Sequence, residues 1–256
     1  MINGKRIAVV LPAYNAEKTL ERCVAEIPRE FIDDIIIVDD ASHDETVAIA
    51  KGLGLELRQH PTNLGYGGNQ KTCYRTALER GADVVIMLHP DYQYDPRLLV
   101  AMAAPICYGV YDTMLGSRIL GNTALSGGMP VHKYVVNRAL TFFQNLAFQK
   151  KLSEYHTGYR AFDRKVLLAI PFERNSNDFV FDSQMLAQIF AGGFRVGEVS
   201  CPTKYFPEAS SIGFMSGVRY AWGCVVVAAQ YVSNEAGASH VDYLEPRDPN
   251  EPPDAD

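Results

Sequence analysis

The sequence predicts an α/β fold: a single domain built on an open, Rossmann-like parallel sheet flanked by helices. Three observations carry this. Four short apolar runs lie in the first hundred residues: Ile7-Ala8-Val9-Val10-Leu11, Ile35-Ile36-Ile37-Val38, Leu55-Glu56-Leu57 and Val84-Val85-Ile86-Met87-Leu88. Segments with helical spacing separate them, and strand–helix alternation is the pattern of parallel sheets, whose strands are buried on both faces. Polar loops leave three of the runs at their carboxyl ends, where open sheets bind ligands.

In chain order, strand one (7–11) leads to the loop Pro12-Ala13-Tyr14-Asn15, with Asn15 as the expected cap of the next helix. Leu20, Cys23, Val24 and Ile27 give that helix one apolar face. Strand two ends in Asp39-Asp40-Ala41-Ser42, and Thr46, Val47, Ile49, Ala50 and Leu53 mark a second helix. After the short third strand comes a glycine-rich loop, Asn63 to Asn69, then a helix to about Arg80. Strand four runs into His89-Pro90-Asp91-Tyr92-Gln93-Tyr94-Asp95-Pro96, with Asp95 a helix cap before Pro96. Further strands are expected at Thr113–Leu115, Thr157–Phe162 and from Phe194, with helices over 133–148, 182–191 and 214–232. Gly121–Pro130 and Pro202–Gly213 read as loops.

At 256 residues the chain can bury one substantial core, and 47% hydrophobic with 21% charged residues is ordinary for a soluble protein. The formal charge is −6, but residues 239–256 hold six acids against Arg247 alone, so the body is near −1. Without a basic excess, a nucleic-acid polymer is not the expected partner. The last 22 residues (235–256) are acidic and proline-rich, and are expected to be a disordered tail. Five scattered cysteines without a C-x-x-C pair suit reduced thiols and a cytoplasmic address. No signal peptide is read at the N-terminus, and the longest uncharged apolar stretch, Tyr220–Ala229, is too short to span a bilayer.

The loops carry the chemistry. Asp91 and Gln93 sit two residues apart after strand four, and both offer oxygen to a hard divalent cation holding phosphate. A turn with a helix cap would use the same residue types. Asp39 and Asp40 could accept protons from ribose hydroxyls or be a solvated turn. Gly65, Gly67 and Gly68 could admit a ligand to the backbone or make a plain turn, but they lack the G-x-G-x-x-G spacing of dehydrogenases.

As an ordered set, these segments resemble glycosyltransferase family 2, over roughly residues 6–232. Pro12-Ala13-Tyr14-Asn15 is similar to that family's P-x-Y-N. Val38 to Ser42, with Asp44 and Thr46, is similar to its VDD-x-S-x-D-x-T. Asn63-Leu64-Gly65 with Gly68-Asn69 is similar to its N-x-G loop, and His89–Pro96 stands where D-x-D belongs, with His89 replacing the first carboxylate. Gly116-Ser117-Arg118 and Gly158-Tyr159-Arg160-Ala161-Phe162 resemble the dolichol-phosphate mannosyltransferase-like, or polyprenyl-phosphate, branch.

The resemblance implies the GT-A fold, with a mixed, mostly parallel sheet, over 1–234, with 1–118 binding the nucleotide sugar and 119–234 the acceptor. It implies inverting hexosyl transfer from a UDP- or GDP-sugar to a polyprenyl phosphate. Pro12, Tyr14, Asn15, Glu17, Asp39, Asp40, Gly65 and Asp91 would bind the nucleotide. Asp91, Gln93 and His89 would hold Mn2+ or Mg2+. Arg118 would bind the acceptor's phosphate or form a structural salt bridge. If the acceptor is instead a hydroxyl of a glycan, lipid or small molecule, Asp182 is its expected base, or else a helix N-cap. A non-catalytic nucleotide-sugar binding module is the third reading, motivated by His89. A lipid acceptor implies a cytoplasmic protein, peripheral on the inner membrane face. Tyr220 and Trp222 would then either meet the interface or pack on the sheet. His43, His60 and His240 read as surface or turn residues, while His132 and His156 fall in the acceptor region.

Overall fold

The computed structural model describes residues 1–202 and 213–247. One seven-stranded sheet organises the chain. Its strands are β1 (Ile7–Ala13), β2 (Asp34–Asp39), β3 (Glu56–Gln59), β4 (Val84–Met87), β5 (Thr113–Ser117), β6 (Arg160–Asp163) and β7 (Val196–Ser200), in the order β3-β2-β1-β4-β6-β5-β7. All neighbours are parallel except β6, which is antiparallel to both β4 and β5. The expected mixed, mostly parallel sheet is therefore present. The strand order reverses at β1, so the loops after β2, β1 and β4 open side by side, where α/β sheets hold ligands.

The central strands β1, β2 and β4 are apolar on both faces because helices cover both. Ile7, Val9 and Leu11 pack with α1 (Leu20–Ala25), α2 (Thr46–Gly52) and α4 (Leu99–Cys107). Ala8 and Val10 face the opposite core, built with α3 (Gly65–Glu79), α6 (Arg164–Ala169), α7 (Phe181–Ala191) and α8 (Phe214–Glu235). Helix α5 (Val131–Phe148) lies outside this layer against α8.

Several expectations need correction. Asn15 does not cap α1, which begins five residues later at Leu20. Asn15 takes a left-handed backbone (φ 51°) and ties two loops together: its N–H donates to Ser42 Oγ (2.8 Å) and its Oδ1 accepts from His43 N (2.9 Å). The glycine-rich segment is mostly helix, since α3 starts at Gly65. Its glycines admit protein backbone: a Cβ on Gly67 would lie 2.4 Å from Ser176 O, and Gly67 N donates to Asn177 O (2.8 Å). His60 is no surface residue; its ring is clasped between Asp40 and Thr72. Helix α6 carried no sequence expectation.

The tail expectation fails up to Arg247. Tyr243 and Leu244 are buried in the core beside α7, Gln188 Nε2 donates to Tyr243 O (2.7 Å), and Arg247 N donates to Ala169 O (3.2 Å). Two large apolar side chains anchor a stretch whose average composition argues for disorder. Residues 203–212 and 248–256, which include most of the expected Pro202–Gly213 loop, lie outside the described residues. Asp95 caps as expected, accepting from Arg97 N (3.0 Å).

Candidate active site

The site forms where the loops after β1, β2 and β4 meet the chain entering β6. Because β6 runs antiparallel, its amino end, Thr157–Tyr159, reaches the same sheet edge as the carboxyl end of β4. The two are joined there: Gly158 N donates to Tyr94 Oη (3.0 Å).

The acidic pair after β2 divides its labour. Asp40 is fully engaged by protein. Its Oδ1 accepts from Leu64 N (2.8 Å) and pairs with His60 Nδ1 (2.8 Å), and its Oδ2 accepts from Gly65 N (3.1 Å). These are N–H groups at the start of α3, where Asn63 Oδ1 also accepts from Gly65 N (3.0 Å). A carboxylate from another loop caps the helix and suits its positive end. Asp39 is equally buried, and its Oδ2 accepts from Ser42 N (3.1 Å). Its Oδ1 is buried with no partner among the described residues. A buried carboxylate oxygen without a donor is costly and calls for one from outside the chain. Two residues further on opens a cavity of about 480 Å3, lined by Ala41, Ser42, His43, Gln59, His60 and Pro61.

Of the other expected nucleotide contacts, Tyr14 stands exposed at the end of β1 and Pro12 lies half-buried within it. Glu17 is turned to protein, its Oε2 accepting from Glu45 N (3.1 Å). Gly65 serves α3 and is pressed against Asn177.

The loop after β4 is held from beneath. Tyr92 and Tyr94 are buried, and the Tyr92 hydroxyl donates to Glu26 while Arg22 lies 4.1 Å over its ring. Tyr92 takes a left-handed backbone (φ 59°), uncommon for so bulky a residue. Such strain persists only where surroundings fix it, and it clusters at functional sites. Asp91 and Gln93, on either side, stay partly exposed, and Asp91 Oδ1 accepts from Gln93 N (3.1 Å). No cluster of three or more His, Cys, Asp or Glu side chains suited to a metal occurs among the described residues. One carboxylate with one amide fits an ion that takes its remaining ligands from phosphate and water, as Mg2+ commonly does.

His89 is locked by its neighbours. Its ring stacks on Tyr66 (5.5 Å between centroids, 8° apart), and a Cβ on Gly158 would fall 2.6 Å from its Nε2. Tyr66 Oη donates to Asp182 Oδ2 (2.7 Å) and lies 3.3 Å from His89 Nε2. The phenol's only proton goes to Asp182, so Nε2–H must donate to the phenol oxygen. That assigns the tautomer from the network and leaves the lone pair on Nδ1. Burial lowers the His89 pKa, opposed by the Asp91 and Asp182 carboxylates.

Asp182 is not the N-cap of α7; Val180 is. Its carboxylate is buried, taking Tyr66 on Oδ2 and Gln70 Nε2 (3.3 Å) on Oδ1, with Arg160 3.8 Å away. Arg160, buried within the sheet, also donates to the carbonyls of Tyr155, Thr157 and Asp182. Arg118 forms the structural salt bridge: Nε donates to Glu154 Oε1 (2.8 Å), and Nη2 donates to Glu154 and to the carbonyl of His156. Glu154 is completely buried, and Asn137 Nδ2 donates to it as well (2.8 Å). His156 Nδ1 meets Tyr220 Oη (2.9 Å), so Tyr220 points inward while Trp222 is exposed. Tyr66, Gln70 and Glu154 went unnoticed in the sequence because nothing local marks them; each acts on a partner brought close only by the fold.

The same architecture occurs in glucosyl-3-phosphoglycerate synthase from Mycobacterium tuberculosis, solved in complex with Mn2+, UDP and glucosyl-3-phosphoglycerate. The TM-score is 0.69 at 17% identity, over 90% of this chain and 81% of that one. The fold is thus that of the GT-A glycosyltransferases. The profile described as "Glycosyl transferase family 2" matches residues 8–170, and the chain belongs to that family. It is 30% identical over 218 residues to the UDP-N-acetylglucosamine--dolichyl-phosphate N-acetylglucosaminyltransferase of Methanococcus voltae, covering 78% of this chain and 86% of that protein. It is 25% identical over 202 residues to the undecaprenyl-phosphate mannosyltransferase of Micrococcus luteus, covering 76% and 82%. An uncharacterized protein of Methanocaldococcus jannaschii is 29% identical over 212 residues, 83% of this chain and 87% of that one.

Proposed function

We propose that this glycosyltransferase moves a hexose, with inversion, from a UDP- or GDP-sugar to a polyprenyl phosphate at a membrane surface. The observation that carries the choice of acceptor is the state of Asp182. A hydroxyl acceptor needs a general base. The carboxylate expected to serve is buried and held by Tyr66, Gln70 and Arg160. A phosphate acceptor needs none, since its second pKa is ~6 and its oxygen is ionised near neutral pH. The names of the Methanococcus and Micrococcus relatives support the same acceptor class.

In this reading Asp39 Oδ1 receives a hydroxyl of the nucleotide, and the cavity lined by Ala41 and Ser42 takes the nucleoside. Asp91 and Gln93 hold a divalent ion, with Nδ1 of His89 as a further ligand. The ion, when bound, offsets charge on the departing diphosphate. An acceptor phosphate oxygen attacks the anomeric carbon from the face opposite the diphosphate. The new carbon–oxygen bond forms as the bond to the nucleotide breaks, and no proton need be removed. Among the described residues no helix is long and apolar enough to cross a membrane, so contact with the lipid acceptor would be peripheral.

The test is release of nucleoside diphosphate with a polyprenyl phosphate or a hydroxyl acceptor. Asp91→Asn should abolish release while the protein stays folded, and chelator should do the same to wild type. Asp182→Asn should retain transfer to phosphate. Loss of phosphate transfer in folded Asp182→Asn, or transfer to hydroxyls alone, would overturn the acceptor assignment; full activity in chelator would remove the ion.

A further inference from the structure

Helix α5 is amphipathic in the wrong sense for a helix in water. Its buried face is Asn137, Thr141 and Gln144, with Phe148 the one apolar member. These polar groups are used inward, Asn137 on Glu154 and Gln144 on Ser183 of α7 (3.2 Å). Its outward stripe is Val131, Val135, Ala139, Phe142 and Leu146, at the i, i+4, i+7 spacing of one helix face. Phe142 is 67% and Leu146 64% exposed. Beside them opens a groove of about 390 Å3, lined by Leu120, Phe142, Leu146 and Leu152 with Lys150, Lys151 and Glu198. Neighbouring α8 exposes Met215, Val218 and Trp222. An exposed apolar stripe of this kind marks an interaction site.

Charge identifies the partner. The chain has 30 acidic residues, yet none falls in the 36 residues from Arg118 to Ser153. That stretch carries five cations: Arg118, Lys133, Arg138, Lys150 and Lys151. Lys133, Lys150 and Lys151 are exposed. An apolar stripe ending at Lys150 and Lys151, on a protein that is acidic overall, matches an interface of acyl chains beneath anionic headgroups. A second copy of the chain fits poorly. A two-fold contact through α5 would set each Lys150–Lys151 end against its own kind, and the one carboxylate lining the groove, Glu198, is taken by Ser153 N and Oγ.

We propose that the outward face of α5 docks flat on an anionic phospholipid bilayer, its apolar stripe entering the headgroup layer and its lysines on lipid phosphates. The docking needs no sugar chemistry, but its purpose, reaching a membrane-borne acceptor, rests on the function proposed above. The test is flotation of the full chain with phosphatidylcholine vesicles, with and without phosphatidylglycerol. Wild type should float with the anionic vesicles and far less with the neutral ones. Phe142→Glu with Leu146→Glu, both at exposed positions, should keep the wild-type melting temperature and reduce vesicle binding about tenfold or more. Replacing Lys133, Lys150 and Lys151 by Ser should remove the preference for phosphatidylglycerol. Wild type left unbound by anionic vesicles at low salt, or a Glu variant that floats as well as wild type, would overturn the proposal. So would a solution dimer that the Glu pair dissociates while neither protein binds lipid. Transfer to a short-chain prenyl phosphate in vesicle-free buffer reads the function separately. Its presence without vesicle binding sinks the docking alone, and its absence with vesicle binding sinks the function alone.

Discussion

Asp39 and Asp40 are adjacent, buried and chemically identical, and their removal should have opposite consequences. Asp40 satisfies Leu64 N, Gly65 N and His60 at the start of α3. In Asp40→Ala Leu64 N loses its acceptor, while Gly65 N keeps Asn63 Oδ1 (3.0 Å); one such loss costs about 1–3 kcal/mol. That should lower the melting temperature by roughly 2–12 °C, since 1 kcal/mol moves a domain of this size by about 2–4 °C. Among the described residues, Asp39→Ala gives up one hydrogen bond, from Ser42 N, but also removes a buried oxygen that has no partner. The two effects offset, so the melting temperature should stay within a few degrees of wild type. Its cost should appear in binding instead. Losing a charge-assisted hydrogen bond of about 1.5–3 kcal/mol weakens affinity for nucleoside diphosphate roughly 10–150-fold. Differential scanning fluorimetry and titration calorimetry on both variants decide the matter. An Asp40→Ala protein as stable as wild type, or an Asp39→Ala protein that binds nucleotide normally, would refute the division of roles.

The pH dependence of stability should carry the mark of His156. Burial pushes its pKa from 6.5 down to about 4, so between those values the unfolded chain holds a proton that the folded one refuses. Stability is complete above about pH 6.5 and should fall by about 3 kcal/mol as pH drops to about 4. Chemical denaturation across that window should show the slope, and His156→Gln should flatten it. A chain ending at Asn234 loses buried Tyr243 and Leu244. At about 1.5–3 kcal/mol for each large apolar side chain, its melting temperature should drop by several degrees, and an unchanged value would show that the segment is not part of the folded domain.

Much of the N-terminal half was legible because its determinants are local. β1, β2 and β4 are continuous apolar runs, and Asp39 and Asp91 sit where those runs end. What the sequence hid depends on partners far along the chain. Asp40 reaches Leu64, Arg118 reaches Glu154, and Tyr66 reaches Asp182 across 116 positions. No spacing rule reports such pairs, so Asp40 read as a ligand, and Arg118 and Asp182 as participants. Helix α5 was recognised as a helix, but periodicity finds stripes without saying which one faces in. Its polar stripe faces the protein, contrary to the usual rule.

The antiparallel strand β6 governs the order in which the molecule can be made. It fills the gap between β4 and β5, although it is synthesised after both. When β4 leaves the ribosome, β1 covers one edge and the other has no partner until Arg160 appears, 73 residues beyond Met87. At ~5–20 residues per second the interval is roughly 4–15 s. Throughout it Val84, Val85, Ile86 and Met87 present an open, wholly apolar edge, the kind on which chains pair wrongly. β5 waits as well, since both its neighbours, β6 and β7, come later in the chain. The half of the sheet that completes the site therefore cannot close until β6 has been made.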